Sequence, residues 1–136
     1  MVRESSVLYK NRRIKSPEDA YQLLKPFLVD SDREQLVLLT LDTKNQPTAI
    51  HTFSVGTLNS SLVHPREIMK VAVLANSASI IIAHNHPSQD PTESREDVEV
   101  TRRIDEAGKI LGIELLLDHL IVCEDNFVSL KEKGHL

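Results

Sequence analysis

A chain of 136 residues with 40% hydrophobic and 26% charged residues has the size and composition of one soluble globular domain with a real core. A formal charge of −4 lacks the basic excess that phosphate contacts demand, so nucleic acid is not indicated as the main partner; Arg12-Arg13 and Arg102-Arg103 read as solvated faces. No apolar run approaches the roughly 20 residues of a membrane span, Met1–Ser6 lacks the apolar core of a secretory signal, and the lone cysteine, Cys123, excludes an internal disulfide or a Cys-x-x-Cys zinc site, which together predict a cytoplasmic protein.

In chain order, Val7, Leu8, Tyr9 and Ile14 among basic residues predict a marginal strand or edge hairpin over 5–14, with Asn11 in its turn. Ser16-Pro17-Glu18-Asp19 is a helix start: an N-cap serine, proline at the first helical position and acids in the first turn. Ala20, Leu23, Leu24 and Phe27 give that helix one apolar face, and Pro26 weakens its end. Gln35–Asp42 carries Leu36, Val37, Leu38, Leu39 and Leu41, the pattern of a strand covered on both faces. A turn over 43–46 leads into a second strand over 48–55, completing a hairpin, and a small-residue loop runs from Gly56 to Ser61. Pro65 opens a helix with Ile68, Met69, Ala72, Val73 and Ala75 on its buried side and Asn76 as its stop; His64 either caps it or lines a cleft.

Ile80-Ile81-Ile82 is a β-branched strand that runs straight into His84 and His86, and ligand sites in open sheets favour such strand ends. A helix over about 95–111 follows, ended by Gly112, with Thr101, Ile104, Gly108 and Leu111 on its stripe and Val100 and Ala107 beside it. Strand-like segments over 113–117 and 120–123 are interrupted by Asp118-His119, a last strand covers 127–130, and the polar tail from Lys131 is expected to fray. With no repeat and no linker, the chain predicts a single α/β or α+β domain: a mixed sheet with flanking helices.

The segment with chemistry in it is Ser79–Asp97. Residues two apart on a strand point to one side, so His84 and His86 can present two imidazoles to one point. The helical stripe extended back one turn lands on Asp97, and a carboxylate at the inward end of such a stripe needs a partner. Two nitrogens and one carboxylate oxygen suit a hydrolytic zinc with a fourth position left for water. Each member also has a plainer reading. His-x-His pairs are mostly surface or hydrogen-bonded histidines, and Ser94-x-x-Asp97 is a capping box, which is compatible with metal binding. A metallohydrolase further needs a proton acceptor; Glu34, at the head of the first long strand, is the candidate, against its reading as an exposed acid in a charged break.

In order and spacing, His84-x-His86, seven residues, Ser94, two residues, Asp97 matches the motif of the JAMM (MPN+) metalloproteases. Segments 55–59, 64–67, 83–88 and 117–120 resemble the RadC-like bacterial branch, and the resemblance spans about 32–136. It implies a cytidine-deaminase-like fold, one zinc ion per chain held by His84, His86 and Asp97, Glu34 as acid/base on the zinc-bound water, Ser94 steadying the oxyanion, and hydrolysis of a peptide or isopeptide bond in a peptide or protein substrate. Gln89 stands where this branch usually has glycine, and nothing before Asp30 resembles the helix-hairpin-helix region of larger RadC proteins. Asp118 and His119 are either core residues or supports behind the ligands, as is His64. The rival function is a non-catalytic, metal-stabilised binding module in a DNA-repair or mobile-element context. An HNH nuclease is discounted because those enzymes separate the three letters across a ββα element, and a zinc deaminase because its His-x-Glu and Cys-x-x-Cys elements are absent.

Overall fold

The computed structural model describes residues 13–29, 32–56 and 64–136. Of the strand expected over 5–14, only Ile14 is among the folded elements' neighbours: it is buried, and its N–H donates to the Asn45 carbonyl (2.9 Å). Residues 5–12 of that strand and the loop over 57–61 lie outside the described residues.

Ser16 caps helix α1 (Pro17–Leu24), its Oγ accepting from the Asp19 N–H (3.3 Å). Pro26 converts the end of the helix into a 3₁₀ turn, Lys25–Phe27. Beside the expected Ala20, Leu23 and Leu24, Tyr21 is buried; its hydroxyl donates between the carbonyls of Cys123 (3.0 Å) and Glu124 (3.1 Å), and its ring stacks on Phe127. Strands β1 (Glu34–Leu41) and β2 (Pro47–Gly56) form the hairpin, its turn held by Asp42 Oδ1 accepting from the N–H groups of Lys44 and Gln46. Helix α2 (Pro65–Leu74) stops as Asn76 adopts φ 52°: the Ser77 N–H donates to Ala72 and the Asn76 N–H to Val73, closing the helix in a left-handed turn. It feeds β3 (Ser79–Asn85), which is buried throughout. Helix α3 (Arg95–Leu111) ends at Gly112 with φ 71°, and β4 (Glu114–Val122) and β5 (Phe127–Ser129) complete the chain.

The sheet order is β2-β1-β3-β4-β5, with β3 and β4 parallel and every other pair antiparallel. Strand alternation divides the apolar residues between two cores. Val37, Leu39, Leu41, Ile81, Ala83 and Leu120 meet α1 on one face; Leu36, Leu38, Ile80 and Ile82 meet Ile68 and Ala72 of α2 and Val100 and Ile104 of α3 on the other. The α+β expectation holds, and the doubly apolar β1 has the cause assigned to it: each face is roofed by helix.

Four local expectations are corrected. Val73, expected on the buried side of α2, is 51% exposed, the buried face being Ile68, Met69 and Ala72. Leu111 is 50% exposed, because the α3 stripe has turned away from the sheet by its last residue. The fourth strand is continuous through Asp118 and His119, since each polar side chain finds partners, on opposite faces of the sheet. The tail does not fray at Lys131: Lys133 and His135 donate backbone bonds to Ser129 and Leu130, and His135 pairs with Glu93 (3.0 Å).

Candidate metal centre

The site sits where β3 ends, between the sheet and the start of α3. Leu36 of β1 lies opposite His84 in the ladder, and strand alternation places His84 on the face of Ile80 and Ile82, under α3. His86 is one residue past β3, yet its N–H still donates to the Val122 carbonyl (3.3 Å), so the chain stays extended and keeps both imidazoles on one side. Across from them, Asp97 stands in the first turn of α3 at 1% exposure.

Here the capping reading is realised, in a geometry compatible with the ligand reading of the same side chain. Ser94 Oγ accepts from the Asp97 N–H (3.1 Å), and Asp97 Oδ2 accepts from the Ser94 N–H (2.7 Å), a complete capping box. That box aims the carboxylate at the histidines. Asp97 Oδ1 lies 2.8 Å from His84 Nε2, Asp97 Oδ2 lies 3.3 Å from His86 Nε2, and the two Nε2 atoms are 3.0 Å apart. Around a tetrahedral ion with bonds of about 2.0–2.1 Å, donor atoms stand roughly 3.3 Å from one another. The three donors are thus already near coordination spacing, and two imidazole nitrogens so close together need a proton or a cation between them. Their chemistry and spacing fit a metal ion, and this is the group of the described residues that gathers such ligands.

Both ring orientations are fixed from behind. His86 Nδ1 is 2.8 Å from the Asp90 carbonyl, which only accepts, so Nδ1 bears the proton and Nε2 faces the cluster. His84 Nδ1 contacts His119 Nε2 (2.7 Å). The hydrogen bond with Asp97 raises the pKa of His86, against partial burial and with help from the Asp90 carbonyl and the charges of Asp97 and Glu34. Burial pushes the Asp97 carboxyl up, but the bonds from His84 and His86 outweigh it and hold it well below the usual carboxylate range. Burial, then the neighbouring His84, holds the His119 pKa far below that of a free imidazole.

Glu34 is half-buried as the first residue of β1, and its charge acts on His86. Ser94 is exposed at the mouth of the site. His119 is fully buried behind His84. Asp118 is a correction: it points to the other face, where it accepts from Ser129 Oγ (2.6 Å) and the Lys131 N–H (3.1 Å), and burial raises its carboxyl pKa against those bonds. His64 occupies the N-cap position of α2 but makes no capping bond with its side chain; it is exposed, and no hydrogen bond or ion pair joins it to the described residues of the cluster.

Three features of the centre take their role only from the structure. Asn85, between the histidines, accepts from the Gln35 N–H (2.7 Å) and donates to the Arg33 carbonyl (2.9 Å), gripping the backbone on both sides of Glu34. Thr101 contacts His119 (2.5 Å); the signal for it was a hydroxyl on the buried stripe of α3, one turn past Asp97. Gln89 adopts φ 67°, the left-handed region that glycine enters freely, and its side-chain oxygen accepts from the Glu124 N–H (2.8 Å). The glycine that the resemblance leads one to expect here would enter this backbone conformation freely.

The sequence profile of the RadC-like JAB domain matches residues 14–135. Among curated relatives, a UPF0758 protein of Desulforamulus reducens is 54% identical over 121 residues, 89% of this chain and 53% of that protein. A UPF0758 protein of Methanosarcina mazei is 47% identical over 131 residues, 96% of this chain and 57% of that protein. One from Bacillus pumilus is 53% identical over 123 residues, covering 90% and 54% respectively. The chain spans little more than half the length of the curated relatives it matches.

Proposed function

The chain belongs to the RadC-like JAB domain family, and from that premise we propose that it is a zinc-dependent hydrolase of peptide or isopeptide bonds, with His84, His86 and Asp97 holding the metal. The observation that carries this reading is the convergence of two imidazole Nε2 atoms and one carboxylate within coordination spacing, each held by bonds that leave the donor atoms facing inward. Zinc bound there supplies Lewis acidity, bringing water to ionise near pH 7.

The chain's own residues handle the proton and the charge. Glu34, at the rim beside His86, accepts a proton from the attacking water and returns it to the leaving amine. The Ser94 hydroxyl accepts from the Asp97 N–H, a bond that does not use its own hydrogen; that hydrogen is donated to the oxyanion as the carbonyl becomes tetrahedral. The Asp97 carboxylate stays ionised throughout and offsets the positive charge gathered at the site.

The test is zinc stoichiometry together with cleavage of peptide and isopeptide libraries by the wild type and by Glu34→Gln. Stoichiometric zinc in both, with cleavage lost only in the variant, is the expected result. Stoichiometric zinc with cleavage in neither would favour a metal-stabilised binding module, a reading that the structural use of Asp97 as a helix cap also supports. Absence of bound zinc would overturn both.

A further inference from the structure

Behind the three ligands runs a line of buried polar atoms that ligation alone does not require. His84 Nδ1 is 2.7 Å from His119 Nε2; His119 Nδ1 is 2.5 Å from Thr101 Oγ1; Thr101 Oγ1 is 2.8 Å from the backbone carbonyl of Asp97. His84, His119 and Thr101 are all 0% exposed, so bulk solvent does not reach the line.

The far end of the line decides its direction. A carbonyl oxygen can only accept, so the single Thr101 hydroxyl proton goes to Asp97, one helical turn back. Thr101 Oγ1 must then accept from His119, which places the His119 proton on Nδ1. A doubly protonated ring there would be a buried charge with no carboxylate in contact, so His119 Nε2 is a lone pair. That lone pair accepts from His84, and His84 carries its proton on Nδ1. The Nε2 of His84 is thereby the atom presented to Asp97 and His86, and a proton it shares with Asp97 Oδ1 (2.8 Å) in the metal-free protein is the one an ion would displace. For His86 the same choice is made by one carbonyl, that of Asp90.

We propose that His119 and Thr101 are positioning residues that fix the tautomer and ring plane of His84 by a one-way hydrogen-bond line ending on the main chain of another ligand, Asp97. This rests on the reading of His84, His86 and Asp97 as a metal site. The line also ties β3, β4 and α3 together through polar groups at a point where apolar packing could have filled the same space, which a purely structural role would favour.

The experiment measures zinc affinity by chelator competition in the wild type, His119→Leu, His119→Gln, Thr101→Val and Thr101→Ser, with long-range proton–nitrogen NMR of the histidine rings in the metal-free proteins. His119→Leu and Thr101→Val should weaken zinc binding about 10–100-fold, as loss of a partner behind a ligating histidine commonly does. His119→Gln, whose amide oxygen can accept from His84, and Thr101→Ser, which keeps the hydroxyl, should recover most of the loss. In the wild type His84 should show a proton on Nδ1 hydrogen-bonded to His119; that signal should change in His119→Leu while thermal unfolding stays cooperative. Retained affinity in both Leu and Val variants, or no recovery in Gln and Ser, would overturn the proposal, as would a His84 Nδ1 without a proton. Should the wild type bind no zinc, the hydrolase reading fails by itself, and the ring signals of the metal-free protein still decide the line of bonds.

Discussion

Asn85→Ala is the sharpest test of how the sheet serves the site. Asn85 is 3% exposed, and its amide holds the Gln35 N–H at 2.7 Å and the Arg33 carbonyl at 2.9 Å, so the two backbone groups flanking Glu34 hang on one side chain. Arg33 is exposed, and its carbonyl gains water when the amide is removed. Gln35 is half-buried at the edge of the β1–β3 ladder, and its N–H loses its partner. A stranded donor of this kind costs about 1–3 kcal/mol, and the missing Asn85 packing adds to it. Urea unfolding of the metal-free protein should register that loss, and amide exchange at Gln35 should accelerate by roughly 5- to 150-fold, the same free energy expressed as a local opening. Zinc affinity should stay within about threefold of wild type, because the donors lie on β3 and α3 and Asn85 faces away from them; a change this small is under about 0.7 kcal/mol. Turnover of a substrate found in the library should fall well beyond that, because Glu34 is no longer held beside His86. If zinc affinity fell in step with turnover, or if Gln35 kept its protection, the division of labour between Asn85 and the ligands would be wrong.

Zinc affinity should rise with pH through the raised pKa of His86 and then level off, since the proton must leave Nε2 before a metal binds; in the metal-free protein the matching stability is full below pH 6.5 and lost as pH climbs through that raised value. Chelator competition across pH 5.5–8.5 checks this (about three units around the His range), and a flat profile would contradict it. Gln89→Gly should leave stability within about 1 kcal/mol of wild type, relief of the left-handed backbone offsetting the lost bond to Glu124, whereas Gln89→Ala keeps the strain, loses the bond and should be about 1 kcal/mol less stable by urea unfolding. Asp118→Asn, which keeps an acceptor for the His119 and Lys131 N–H groups, should unfold within about 1 kcal/mol of wild type, Asp118→Ala should lose about 1–3 kcal/mol, and neither should change zinc affinity if Asp118 serves the opposite face.

Legibility in the sequence followed locality. The convergence of His84, His86 and Asp97 was readable because they share one strand end and the next helix, so strand and helix periodicity alone aim them. The split core was readable in Leu36–Leu41, where every position but Thr40 is apolar and both faces must be covered. The continuity of β4 was not, because Asp118 and His119 look like a break until Ser129, Lys131, His84 and Thr101 arrive from elsewhere to satisfy them. Tyr21 escaped for the same reason: its hydroxyl is answered by carbonyls more than a hundred positions away. The exposed Leu111 shows the converse, a periodic pattern running on past the surface it was meant to meet.

The arrangement of the centre also sets an order of assembly. His84, His86 and Asp97 are joined by a short stretch of chain whose closure costs little entropy, so the candidate ligands can gather as soon as β3 and the first turn of α3 exist. Glu34 arrives only when β1 docks on β3, a contact spanning fifty positions between Gln35 and Asn85. In a local-contact-first pathway the His84–His86–Asp97 cluster therefore forms before Glu34 is brought to it, and the full set of candidate groups is assembled only when the sheet is complete.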